Sequence, residues 1–184
     1  MKLFIPFVCF YFFSIICFSC SIGSVEVSEK ERLFDEMGAK TAEELEKKHG
    51  MQTIGMGGSS YDKIRRLMLS FQIKIPLEKD FARELVVDCV QHTLKNINED
   101  ETIRPFLITY PFTEEEIKIS IFSVDEKGSD VYDPFLTVVS AFNGEIDFRT
   151  QSPEDLYQYK TEETETFEEA IKILQKQGKL RNEQ

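Results

Sequence analysis

The sequence predicts an α+β protein. It would have a mostly antiparallel four-stranded sheet, in the order β-α-β-β-β-α, packed against one long helix and preceded by a signal segment and a helical stalk. Three observations carry this. Leu67, Leu69, Phe71, Ile73 and Ile75 alternate without a break, the period of a strand with one buried face. Phe81, Leu85, Val86, Cys89, Val90, Thr93 and Ile97 fall on one side of a helix, with Glu84, Gln91, Lys95 and Asn98 opposite. Asn143-Gly144, set between two strand-like runs, is the dipeptide that a two-residue type I′ hairpin turn favours. A sheet with the helix on one face is the simplest way to bury all these stripes.

Taken in order, residues 1–20 form a leader. Lys2 gives a positive start, and Leu3 to Phe18 are apolar apart from Pro6, Tyr11 and Ser14, the pattern of an export signal. Residues 21–60 are expected to be a helical stalk and a glycine-rich linker. Two short helical stretches are expected in the stalk, the second opened by a Thr41/Glu44 capping box. The glycines of "GMQTIGMGGSS" are read as a joint, since no Lys-Ser/Thr follows and no strand precedes them as a phosphate loop requires.

A single domain is expected over 61–184. Its first strand stops at Pro76, and the alternation at its start is shared with a helical pattern through Ile64, Leu67, Met68 and Phe71. The long helix follows from about Leu77 to Asn96. Strands are expected at 117–124, from about Phe135 to Phe142, and at 145–151. Residues 152–165 are expected as a connection, and a last helix from about Phe167 to Gln177 is opened by a Thr166/Glu169 capping box.

Composition narrows the partners. Of the 184 residues, 33 are Asp or Glu against 22 Lys or Arg, a net charge of −11, or −12 once the leader and its Lys2 are removed. No basic stripe is present, so nucleic acid is an unsuitable partner, and so is an anionic lipid surface. Attachment to a membrane is expected to come from the N-terminus, through a lipid or a signal anchor.

Ser19-Cys20-Ser21 resembles the end of a bacterial lipoprotein signal, in which the cysteine receives the lipid. The resemblance implies lipidation of Cys20 and a tether beginning at Ser21. Cys17 and Phe18 depart from the family's pattern. Cleavage by ordinary signal peptidase near Ser19, Ser21 or Gly23, and an uncleaved anchor, are the alternatives.

Catalytic constellations are scarce. His49 and His92 have no Ser, Cys or carboxylate at a spacing that makes a triad. Cys89, among Val86, Val87 and Val90, reads as a core thiol. Asp125 to Asp133 lacks the ligand pattern of a calcium loop. Glu145 and Asp147, two apart on a strand, point to one face. No cofactor or metal motif is present.

The segment "IRPFLITYPFT", 103–113, concentrates Arg104, Phe106, Tyr110 and Phe112 between prolines that stiffen it. Aromatic and Arg side chains on an ordered loop are what interaction surfaces use, and rings capping the core are the alternative. Roughly residues 80–145, through their Arg-Pro-aromatic-Leu and Tyr-Pro-Phe pattern, resemble a group of small exported bacterial proteins; the resemblance implies export and no particular activity.

The expected function is an exported, lipid-anchored envelope protein that binds a protein or peptide. The alternatives are an exported hydrolase, with a site hidden in the linear sequence, and a secreted factor acting on another cell.

Overall fold

The computed structural model describes residues 28–59 and 61–180; the leader with Cys20 lies outside the described residues. Three helices and six strands follow in the order α1 (Glu29–His49), β1 (Gln52–Ser59), β2 (Arg66–Ile73), α2 (Lys79–Glu99), β3 (Ile117–Ser123), β4 (Val138–Phe142), β5 (Glu145–Ser152), β6 (Asp155–Thr166) and α3 (Phe167–Lys176), with short 3-10 turns at 104–106 and 114–116. The α+β class is as expected. The sheet is not: it has six strands in sequential order, and it is mixed. β2 and β3 run parallel because α2 crosses between them, and the other neighbours are antiparallel.

Alternation decides the two faces. Leu67, Leu69, Phe71 and Ile73 of β2, Ile117, Ile119 and Ile121 of β3, Val139 and Ala141 of β4, and Ile146 and Phe148 of β5 stand in register on one face and are buried. All three helices cover that face, α1 on β1 and β2, α2 on β3 and β4, α3 on β5 and β6. The opposite face carries no helix among the described residues. Burying apolar side chains on one face only is what period-two patterning with a helical layer demands. Asn143 and Gly144 have φ of 51° and 75°, both positive as the type I′ hairpin requires.

Two expectations for the N-terminal part are corrected. The two short helical stretches are one helix. Its N-cap is Ser28, in a capping box with Glu31, and Gly50 ends it in the left-handed conformation. Thr41 lies buried inside that helix instead of starting one. The presumed stalk is part of the body: Phe34, Met37 and Leu45 join the common core.

The presumed linker is strand β1. Its glycines permit contact rather than motion. A Cβ on Gly58 would meet the Phe34 ring and the Arg66 carbonyl oxygen, each at 2.4 Å, and one on Gly38 would meet Met56 Sδ at 2.7 Å. α1 therefore lies flush on the first hairpin because two positions have no side chain.

The third correction is at the other edge. Residues 152–165 are expected from the sequence as a connection, but Asp155–Thr166 form the longest strand, β6. Thr166 then caps α3 in the expected box with Glu169.

Candidate functional site

The 103–113 segment is ordered by reciprocal bonds to α2. Asn98 Nδ2 donates to the Phe112 carbonyl at 2.9 Å, and the Phe112 N–H donates to Asn98 Oδ1 at 2.7 Å. Ile64 pairs with the same loop: its N–H donates to the Phe106 carbonyl at 2.8 Å, and its carbonyl accepts from Ile108 N–H at 2.9 Å.

These bonds divide the four side chains singled out in the sequence. Phe112 is 2% exposed and belongs to the core. Phe106 is half-buried and packs against the core. Tyr110 is exposed, and Arg104, half-buried with its Nε shielded from solvent and unpartnered among the described residues, stacks on it, the guanidinium 4.5 Å from the ring centroid. The loop thus offers one cation–aromatic pair on a hydrophobic base.

A larger surface was missed in the linear sequence. β5 and β6 form a hairpin that turns at Pro153-Glu154. At its end Leu156 is 53% exposed, Tyr157 98% and Tyr159 47%. β6 is the last strand of the sheet, and no strand pairs with its outer side among the described residues. No proline lies within Asp155–Thr166; the strand is guarded instead by its charges, Lys160, Glu162, Glu163 and Glu165, and by register shifts opposite Gln151 and Ser152.

The hairpin is nevertheless held rigidly. Arg149 on the open face reaches Asp147 at 2.8 Å, Glu162 at 2.6 Å and Ser140 Oγ at 3.2 Å, and its guanidinium sits 5.2 Å from the Tyr159 centroid. Lys160 pairs with Asp133 at 2.7 Å, which holds the Asp133 carboxyl below its ordinary range. On the helix face, Arg83 of α2 makes a two-point bond to Glu165, and Lys79 reaches Glu163 at 2.7 Å.

The signal for β6 lay in its composition: Tyr157, Tyr159, Thr161, Thr164 and Thr166 are strand formers. They went unrecognised because neither side of the strand is apolar, so no period-two hydrophobic pattern exists to detect.

Both histidines fasten α1 to α2. His92 Nε2 is 2.8 Å from Glu44 Oε2, which also accepts from Asn96 Nδ2 at 2.7 Å. The cavity beside this cluster, about 200 Å³, is lined by Met37, Lys40, Thr41, Asn96, Glu99 and Asp100 rather than by His92. His49 Nε2 is 2.7 Å from Asp88 Oδ2 at the rim of a second cavity of about 230 Å³, floored by Leu85 and Leu174. Among the described residues neither imidazole is hydrogen-bonded to a hydroxyl or thiol. Cys89 is a free buried thiol, whose pKa burial pushes up, away from nucleophilic use.

The His49 bond and the Lys48 ammonium hold the Asp88 carboxyl down at about 2. An unfolded aspartate titrates near ~3.9, so this contact stabilises the fold above about pH 4 and is lost as pH falls toward 2. Asp88→Asn is expected to lower stability near neutrality by about 1 kcal/mol, a value reduced for a carboxylate one-third open to solvent. In urea titrations at stepped pH, the difference from wild type should shrink to nothing by about pH 2.

The chain was compared with protein-family models, curated proteins and solved structures, and none of the three comparisons finds a match.

Proposed function

We propose that this is an exported protein, held at a membrane through a lipid on Cys20, whose folded body binds protein or peptide partners without catalysing a reaction. One observation carries the binding part: among the described residues no strand pairs with the outer side of the twelve-residue edge strand, which starts at a hairpin tip bearing the exposed Leu156, Tyr157 and Tyr159. Main-chain groups of an open edge can accept an extended partner strand, and exposed Tyr with a stacked Arg supplies the anchors that interfaces favour. The Arg104–Tyr110 pair is a second contact on the same terms. The membrane part rests on the apolar leader and on the Ser19-Cys20-Ser21 junction.

Two measurements on the full chain in a bacterial host test the two parts separately. With a photo-crosslinking residue at position 157, illumination should give a covalent adduct of discrete mass in the membrane fraction. Tyr159→Ala, placed on an exposed strand, should reduce that adduct several-fold while leaving the thermal melt unchanged. A folded protein that gives no adduct at this position, or an adduct indifferent to Tyr159, defeats the contact surface. Cys20→Ala should abolish incorporation of a palmitate analogue; an unlabelled wild type defeats the lipid anchor and leaves the binding surface standing.

A further inference from the structure

Arginines in this acidic chain find acceptors, with one exception. Arg32, Arg65, Arg66, Arg83 and Arg149 each donate to a side-chain oxygen, and for all but Arg66 that oxygen belongs to a carboxylate. Arg104 has no acceptor among the described residues, in a chain of net charge −11. Neither nearby carboxylate answers it. Asp100 accepts from the Thr102 N–H and hydroxyl at 2.8 and 2.6 Å, and no bond joins Glu101 to the guanidinium.

A second observation makes this more than a loose surface charge. Arg104 Nε is shielded from solvent and still lacks a partner. A shielded donor normally has one, and leaving it without costs free energy.

The side chain is also held in place. Its guanidinium lies 4.5 Å from the Tyr110 centroid, and the Tyr110 hydroxyl donates to the Asn98 carbonyl at 3.3 Å. The Asn98 side chain fixes the same loop through both its bonds to Phe112. Lys63, whose ammonium donates to the Pro105 carbonyl, adds a second positive charge beside it.

We propose that Arg104 receives the carboxylate of an acidic side chain on an extended protein partner, with Ile108 and Tyr110, 40% and 52% exposed, as the apolar flanks of that contact. This rests on the partner-binding reading above and gives its second contact a chemistry. With Nε shielded, the terminal nitrogens are what remain. They present two N–H groups end-on, which match the two oxygens of a carboxylate. Stacking on the ring removes water from one face of the cation and strengthens the bond to an anion at its edge. An anionic lipid surface or a polyanion would also meet the acidic remainder of the body, whereas one carboxylate between apolar side chains meets this loop alone.

The test is an NMR titration of the full chain in detergent micelles, isotope-labelled on backbone and arginine nitrogens. The probes are acetyl-Ser-Leu-Glu-Leu-Ser-amide, its Gln counterpart and inorganic phosphate. The Glu peptide should move the Arg104 guanidinium signal and the amides of 103–110, and it should bind at least about tenfold more tightly than the Gln peptide. Arg104→Gln should abolish that preference with the rest of the spectrum unchanged. Tyr110→Leu keeps the charge and removes the ring, and should weaken the Glu peptide several-fold.

Equal binding of the two peptides, a preference that survives in Arg104→Gln, shifts confined to other parts of the protein, or no shifts at millimolar peptide would overturn the proposal. Phosphate binding as tightly as the Glu peptide would overturn its assignment to a protein carboxylate. The adduct at position 157 reports on β6 alone, so its loss and the loss of this contact are separate results.

Discussion

Replacing Arg83 with alanine should destabilise the protein by about 3–5 kcal/mol, the cost of leaving one partner of a buried ion pair without the other. Arg83 lies on the first turns of α2 and is only 5% exposed. Its Nε and Nη2 donate to the two oxygens of Glu165 at 2.6 and 2.9 Å, and Nη1 donates to Asp80. The Glu165 carboxylate is the bond that keeps the Arg83 pKa raised against the opposing effect of burial.

Beneath the pair lies the ring of Phe148, fully buried, with the guanidinium 5.6 Å and the Lys79 ammonium 4.9 Å from its centroid. The alanine variant would therefore strand the Glu165 carboxylate against an aromatic surface and open a void above the ring. Urea unfolding is the measurement: the midpoint should fall with the slope unchanged. Changing both residues together, Arg83→Met with Glu165→Leu, should recover most of the loss, because a packed apolar pair avoids the desolvation cost. A single-variant loss below about 1 kcal/mol would mean that water reaches the pair and that β6 is not clamped by α2.

Leu45→Ala should cost about 2–5 kcal/mol, the range for truncating a fully buried leucine. The number discriminates because Leu45 stands in the segment whose sequence suggests a solvated stalk. A side chain on such a stalk would change stability by less than about 0.5 kcal/mol when truncated. In the structure Leu45 is fully buried, in the same core as Phe34, Met37 and Met51 and the strand residues Leu67 and Leu69. The loss should appear as a single cooperative transition shifted to lower denaturant. A separate early transition would show α1 peeling away as an independent unit.

The parts of the fold legible in the linear chain are those where each residue's environment repeats with the backbone period. Leu67 to Ile73 alternate in burial and Ile117, Ile119 and Ile121 are buried on one side, while Val138 to Ala141 form a continuous buried run, so their strands declared themselves. The stripe of α2 did likewise. Asn143-Gly144 and the Thr166/Glu169 box are local devices, needing no distant partner to work.

The candidate surfaces were less legible. The 103–113 loop stood out by composition, but whether each ring faces core or solvent depends on where Asn98 and Ile64 meet it. β6 and its tyrosines gave no hydrophobic period.

What the amino-acid sequence determined alone was the α+β class, the β2–α2–β3 unit, the β4–β5 hairpin, the final helix and the acidic balance, because each follows from short-range geometry and composition. What only the tertiary structure decided was the use of the glycines. Gly38 and Gly58 look like breaks in isolation, yet they are the points where α1 and β1 come too close for a Cβ. Steric contact between distant segments has no period in sequence, and so the first helix, both edge strands and the open face were settled by packing.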